Sequence, residues 1–511
     1  MHSNNTATKK EHAIGGMLLF MVLVVYTLMQ WRQLHADIWN DEMYTLKHFV
    51  LVYFRETVTD YHVPNNHVFF SIFEKFFLKI FRQKDLLLLL DKPWIARIPG
   101  LLCSYATIIY VYAFGKKYYS LPVAVLSIIL LISTVPFFNF ALQIRGYSLN
   151  MLFAAMIIYY FFGYLHTAQK QLLFVIGILI ALTIYTIPSN LYFAIPFLLF
   201  CAVAAFICAV RSGRQQKFIV TLFTNLWSYL AYSITGGIIL SLVLYAPMLH
   251  AVFFNPYVAP PTPFNKWVLS DAFPEVFEHI TSYRYLFFLP LIPACLWIKN
   301  KKDRTLICLL LSLMIVPFIM GFLRGDWAPS RVYVYMAPLF IILCMPFAHQ
   351  IFVRMNRHWQ PVLFITIVAA YCVFCFQKVM KMIDEKLYHN LYVGDMDMGL
   401  YYNYFAMHYA PYDETKNFRD HYNHPGAVLI LKDSEPHDMP YYLEHFKLKY
   451  YTADALDSLM QKQDTVFVIT RFPYNISDEV LIKHPGWKAH FVYKEITYHN
   501  FVQLYHVASA H

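Results

Sequence analysis

Apolar residues in this chain come in long uninterrupted runs rather than at amphipathic spacing. Eleven runs approach the roughly 20 residues that cross a bilayer as a helix: 15–31, 95–115, 121–138, 148–165, 171–187, 191–210, 220–248, 285–298, 305–323, 332–347 and 360–378. They predict a polytopic α-helical membrane protein. The run 220–248 is long enough to tilt strongly or to begin as an interfacial helix, and 285–298 is short enough to borrow flanking residues. The first run follows Lys9, Lys10 and Glu11, and no small-residue cleavage site follows it, so it reads as a retained span rather than a signal peptide. An odd number of spans puts the two termini on opposite faces.

Two segments interrupt this pattern. Within 32–94, residues 67–81 place Phe69, Phe70, Phe73, Phe76 and Phe77 at helical spacing around Glu74, Lys75 and Lys79. That pattern fits a helix lying at the membrane surface; packing against the bundle is the plainer alternative. Leu86 to Leu90 are five leucines between Asp85 and Asp91, too few to span. From about residue 380 the runs shorten: 427–431 and 465–470 read as buried strands, 489–496 and 501–507 as closing strands, and 439–447, 453–461 and 477–484 as helices. The expected division is a transmembrane domain, 1–379, with a large first outer loop, 32–94, and a C-terminal extracytoplasmic α/β domain, 380–511.

Composition agrees and removes alternatives. With 59% hydrophobic and 14% charged residues, against about 25% charged in soluble domains, the chain is neither a soluble enzyme nor disordered. All eight cysteines lie in apolar runs and read as small buried hydrophobes rather than disulfides or a metal cluster. The net charge of +10 matters through its placement. With the N terminus inside, the inner segments hold fourteen lysines and arginines against Glu11 and Asp303 as the acids. This is the positive-inside pattern, so the basic excess reports topology and not nucleic-acid binding. It puts 32–94, 139–147, 249–284, 324–331 and everything after about 379 on the outer face of a plasma or inner membrane. Eleven of the 22 histidines fall in that tail, but even the closest pair, His421 and His424, lacks compact ligand spacing, so no metal is expected there.

Polar residues beside span ends are the candidate chemistry, because ionisable groups there usually face a solvated interior. Asp41 and Glu42 follow span 1. Adjacent carboxylates cannot point the same way, so one faces a cavity while the other anchors the loop. Next, Tyr61-His62-Val63-Pro64-Asn65-Asn66-His67 crowds amides and imidazoles into a turn able to bind sugar hydroxyls or a phosphate, or simply to cap and pack. Arg145, in Gln143-Ile144-Arg145-Gly146-Tyr147-Ser148, carries a guanidinium fork suited to phosphate, with Gly146 allowing close backbone approach. Arg324 and Arg331 flank another outer mouth. An acidic pair, a polar turn and arginines on one face suit transfer of a sugar from a lipid phosphate to a hydroxyl, the carboxylate taking the acceptor proton and the arginines steadying the departing phosphate. Neither a Walker loop nor a Rossmann glycine pattern is present.

These motifs resemble the membrane-embedded glycosyltransferases of the dolichyl-phosphate-mannose protein mannosyltransferase and lipid A aminoarabinose transferase group, through about residues 15–350. Asn40-Asp41-Glu42 resembles the family's acidic pair, whose aspartate, matched by Asp41, is the catalytic base. His62 to His67 resembles its first-loop motif, Arg97-Ile98-Pro99 its entry to span 2, Arg145-Gly146-Tyr147-Ser148 its arginine-tyrosine motif, and Arg331 with Pro338 its later arginine. Gln143 stands where many members have an acid, and Val63 interrupts a common double proline. The resemblance implies inverting transfer from a polyprenyl-phosphate sugar to a lipid, glycan or protein hydroxyl. Asp41 and Glu42 would be catalytic, Arg145 and Arg331 would bind the donor phosphate, and His62, Asn65, Asn66, His67, Arg97 and Tyr147 would line the substrate. No cofactor is expected; Asp41, Glu42, His62 and His67 could join a divalent ion, but dedicated ligand spacing is absent, so no metal is expected either. A transporter or flippase of lipid-linked sugars is the alternative; inverted repeats and charges deep within spans would favour it, whereas the charges here cluster at one mouth. The topology has a direct test. A cysteine at Ser434, with the native cysteines removed, reacts with an impermeant reagent in intact cells; labelling only after permeabilisation refutes the orientation.

Overall fold

The computed structural model describes residues 2–38, 40–211, 215–255, 263–274, 276–277, 298–325, 330–354, 411–432, 439–470, 480–493 and 500–507, with a few positions in 362–377. The expected spans 285–298 and 360–378 lie almost wholly outside the described residues, as does Ser434. Among the described residues seven helices are long and apolar enough to cross a membrane: Glu11–Met29, Trp94–Tyr118, Tyr147–Thr167, Pro188–Val210, Leu226–Phe253, Lys301–Arg324 and Arg331–Arg354. Two shorter apolar helices, Leu121–Ser133 and Lys170–Thr186, occupy two further expected runs. The chain is therefore a polytopic helical membrane protein.

Two runs read as single spans are broken, each for a local reason. In 121–138 the backbone turns extended at Thr134, and a new helix, Val135–Phe140, starts with Pro136 in its first turn, where a missing N–H costs nothing. In 220–248 the break is at Asn225. Helix Gln215–Thr224 ends there, and the Asn225 carboxamide oxygen accepts from the N–H groups of Trp227 and Ser228 to begin Leu226–Tyr245. Its Nδ2 donates to the carbonyls of Thr221, at 2.7 Å, and Ala205, at 3.2 Å. One side chain thus caps one helix and ties it to two others. Farther along, Leu226–Tyr245 packs against Lys170–Thr186 so closely that a Cβ on Gly237 would lie 2.4 Å from the Gly177 carbonyl, while Ser233 Oγ donates to the Leu173 carbonyl at 2.5 Å. Small residues let the helix backbones approach, as membrane packing requires.

The chain divides into two compact units. The first comprises Met1–Trp31, Val52–Phe77 and Arg97–Met380; the second comprises Arg32–Leu51, Leu78–Ala96 and Lys381–His511. The first outer loop, expected to belong to the transmembrane domain, is therefore shared, with 32–51 and 78–96 packing with the C-terminal residues.

In the second unit five strands, β1 (Leu429–Leu431), β2 (Tyr451–Thr452), β3 (Thr465–Thr470), β4 (Trp487–Tyr493) and β5 (Asn500–His506), form one sheet in the order β2-β1-β3-β5-β4. Strand β1 runs parallel to β2 and β3, and β5 is antiparallel to β3 and β4. Residues alternate between two covered faces. Val466, Val468, Val502 and Leu504 meet Leu456, Met460, Val480 and Trp487 on one side. On the other, Phe418 of helix Pro411–His421 packs on Phe467 and Phe501.

Replacing Asn225 with Ala removes the cap and both carbonyl ties. We expect a loss of about 1–2 kcal/mol, seen as a lower unfolding temperature in detergent; an unchanged melting curve would contradict the role of Asn225 at the break.

Candidate functional site

The turn at 60–67 separates residues that the sequence placed together. After helix Phe54–Thr59, Asn66 is fully buried and spends its amide on the turn itself: Nδ2 donates to the carbonyls of Thr57, at 3.0 Å, and Asp60, at 2.8 Å, while Oδ1 accepts from Ser71 Oγ at 3.0 Å. His62 turns outward and half-exposed onto Asp60, with Nδ1 2.6 Å from the carboxylate. Asn66 is a scaffold and His62 a surface residue. Asn65 and His67 remain, and both meet Arg145.

Arg145 is 2% exposed and leads into helix Tyr147–Thr167. Its Nη2 donates to Asn65 Oδ1, and the guanidinium lies over the Tyr147 ring, 5.3 Å from its centre. The next residue, Gly146, donates its N–H to His67 Nδ1 at 2.8 Å. A Cβ there would come within 2.4 Å of Thr186 Cγ2 and 3.2 Å of the His67 side chain, so the position admits glycine alone without rearrangement. The Tyr147 ring meets His67 edge to face at 5.1 Å.

That backbone hydrogen bond decides the tautomer of His67. Since Nδ1 accepts, the neutral ring carries its proton on Nε2. Arg145 Nη2 lies 3.5 Å from Nε2, but both atoms are donors, so they are neighbours offering hydrogens to a common acceptor and not a bonded pair. Burial comes first, and then the charges of Arg145 and Arg331, in holding the imidazole well below its ordinary pKa of 6.5. Arg331, partly exposed in the turn Ser330–Tyr335, thereby belongs to the electrostatic neighbourhood of His67. So does Tyr61, whose phenol is driven up by burial and opposed by Arg145. Tyr61 rests on Tyr245, and Asn255 Nδ2 bonds its carbonyl at 3.1 Å. Sequence reasoning passed over Tyr245 and Asn255, which carry no motif and sit at or beyond the end of an apolar run.

Arg97 is buried one turn into helix Trp94–Tyr118. Helix Val68–Ile80 buries Phe70, Ser71, Glu74 and Leu78 and exposes Phe76, Lys79 and Ile80. Glu74, read as a polar residue of a surface helix, is thus on the inward face.

Asp41 and Glu42 belong to the second unit, in the first turn of helix Asn40–Thr45. Adjacent helical residues diverge by about 100°. Glu42 is 1% exposed and Asp41 is only partly buried. Thr45 Oγ1 donates to the Asp41 carbonyl at 2.8 Å. Among the described residues no group of three or more His, Cys, Asp or Glu side chains is placed to hold a metal ion.

The architecture is that of a multi-pass helical membrane protein with an α/β unit, and the Arg145 motif lies in a recognisable segment. Residues 73–226 match the model of the dolichyl-phosphate-mannose-protein mannosyltransferase family. The fold is similar to that of ArnT from Cupriavidus metallidurans, solved bound to undecaprenyl phosphate, with a TM-score of 0.53 and 12% identity over 96% of this chain and 98% of that one. The Archaeoglobus fulgidus oligosaccharyltransferase, solved with Zn and sulfate, is more distant, with a TM-score of 0.46 and 13% identity over 88% of this chain and 67% of that one. A search of curated proteins finds no match. The resemblance read from the motifs is thus met in sequence by the family model over residues 73–226, and in fold by the likeness to ArnT over nearly the whole chain.

The neutral His67 predicts a pH signature. Unfolded chains take up a proton near pH 6.5 and the folded protein does not, so below that pH the unfolded state binds more protons and folding stability falls, by at most about 1.4 kcal/mol per pH unit for one group. We expect His67→Asn, which keeps an acceptor near the Nδ1 position, to flatten the loss of thermal stability between pH 7.5 and 5. We expect His67→Leu, which strands the Gly146 N–H, to cost about 1–3 kcal/mol at neutral pH. Identical acid sensitivity in wild type and His67→Asn would refute the assignment.

Proposed function

We propose that this protein is an inverting glycosyltransferase that moves a sugar from a polyprenyl-phosphate donor to a hydroxyl of a lipid, glycan or protein acceptor at the extracytoplasmic membrane face. The observation that carries this reading is the pairing of the Arg145 guanidinium with the Nε2–H of neutral His67, two donors held side by side and buried. A phosphate oxygen is the acceptor such a pair suits, and Arg331 adds charge to the same neighbourhood. The likeness in fold to ArnT, itself solved with undecaprenyl phosphate, supports that choice of ligand.

In the proposed reaction the acceptor oxygen forms a bond to the anomeric carbon as the bond from that carbon to the phosphate oxygen breaks. The lipid phosphate leaves with the electron pair, its charge met by Arg145 and Arg331. Asp41 takes the acceptor proton. Asp41 is favoured over Glu42 because it is the less buried of the two carboxylates. His67 donates a hydrogen bond without adding charge, Asn65 and Tyr147 orient the guanidinium, and His62 and Asn66 act through the loop rather than on substrate.

Reconstituted protein incubated with defined polyprenyl-phosphate sugars and membrane extract, followed by mass spectrometry, identifies donor and product. In the same preparation Asp41→Asn lowers turnover by about 10²–10⁴-fold while undecaprenyl phosphate still binds, and Arg145→Ala weakens that binding. Near-normal turnover in Asp41→Asn removes Asp41 from the role of base, and a larger loss in Glu42→Gln transfers the role to its neighbour.

A further inference from the structure

Helix Asn40–Thr45 is six residues long and runs into a wider turn, Leu46–Val50. A helix this short has too few internal hydrogen bonds to hold itself, so its direction is set by whatever grips its ends. Within the second unit the grip comes from the C-terminal residues. Two residues before the helix, Ile38 is fully buried and its carbonyl accepts from Tyr442 OH at 2.8 Å; Tyr442 is itself buried. One residue earlier, Asp37 Oδ2 accepts the backbone N–H of Tyr412 at 2.8 Å. Past the helix, the Lys47 ammonium sits over the Tyr441 ring, 4.7 Å from its centre.

Tyr412 joins this to another part of the loop. Its hydroxyl donates to Asp91 Oδ1 at 2.8 Å, and the same oxygen lies 3.1 Å from His445 Nε2. Burial, with Asp91 as the accepting neighbour, pushes the Tyr412 phenol up to about 12, so it remains a donor across the physiological range. Its ring packs on Phe446 at 4.9 Å. Tyr412 lies on helix Pro411–His421, and Tyr441, Tyr442 and His445 lie on helix Met439–His445. Two C-terminal helices therefore hold the chain on both sides of the acidic pair.

We propose that Tyr412, Tyr441 and Tyr442 are positioning residues for the acidic pair, so that the C-terminal domain sets the aim of the base as well as any choice of acceptor. This rests on the reading of Asp41 as the base. Tyr442 is the sharpest member, since its hydroxyl bonds the backbone carbonyl of Ile38, two residues before the helix begins at Asn40. Removing that hydroxyl leaves the ring packed and the helix end untied.

The test is a cycle of Tyr442→Phe and Asp41→Asn in the reconstituted full-length protein, measuring turnover, acceptor KM and affinity for undecaprenyl phosphate. We expect Tyr442→Phe to lower kcat about tenfold or more, as small misplacements of a reacting group do. Donor-lipid affinity and unfolding temperature should stay near wild type, and the change should have no further effect in the Asp41→Asn background. In parallel, Lys47→Met lowers kcat and Lys47→Arg, which still stacks on Tyr441, restores it. Unchanged kcat in Tyr442→Phe and Lys47→Met, with Asp41→Asn inactive, overturns the positioning role while leaving the base in place. Full additivity of Tyr442→Phe with Asp41→Asn also overturns it. Near-normal turnover in Asp41→Asn instead refutes the underlying assignment of the base.

Discussion

A guanidinium withdrawn from water is the constraint that organises the transmembrane unit. Arg145 keeps a charge that cannot be neutralised at physiological pH, and burying it is tolerable only where its donors meet acceptors and its plane meets a π-face. The turn at 60–67 supplies Asn65 for the first need, and Tyr147 supplies the second. Gly146 lets the main chain pass close enough to Thr186 and His67 for both to be reached. Asn66 then becomes intelligible: by bonding two loop carbonyls and Ser71 it presents its neighbours, and so acts on the arginine without touching it.

Much of the fold was legible because a bilayer asks for one simple property, a long apolar run, and the chain states it repeatedly. Where a run ends was legible; where it breaks was not. Nothing in 220–248 marks Asn225 as a cap rather than one more polar residue, since its value comes from the carbonyls of Ala205 and Thr221, which only packing brings near. The same limit divided the polar turn. His62 and His67 are equivalent in sequence terms, yet one bonds a surface aspartate and the other accepts a buried backbone N–H from a residue 79 positions away. Residues 32–51 and 78–96 were assigned by chain proximity to the membrane domain, whereas the structure packs them with the C-terminal residues through contacts more than 300 positions apart, such as Tyr412 with Asp37 and Asp91.

The electrostatics of His67 follow from economy of charge. Two arginines already supply positive potential to its surroundings, and a third cation there would be both desolvated and repelled. A neutral imidazole contributes a directional donor and no net charge. Its orientation is settled by the main chain at Gly146, which makes the tautomer a property of the fold rather than of solvent pH.

The two units solve the same problem, holding a polar side chain still, by different means. In the transmembrane unit Arg145 leads into a long helix, and burial with Asn65 and Tyr147 does the fixing. In the second unit the acidic pair sits on one turn and a half of helix, where propensity and length offer almost nothing. Rigidity there has to be imported, and the sheet is the rigid body available: Phe418 anchors helix Pro411–His421 to Phe467 and Phe501, and that helix in turn presents Tyr412 to Asp37 and Asp91. A chain of contacts thus runs from the sheet through one helix to the loop that holds Asp41 and Glu42.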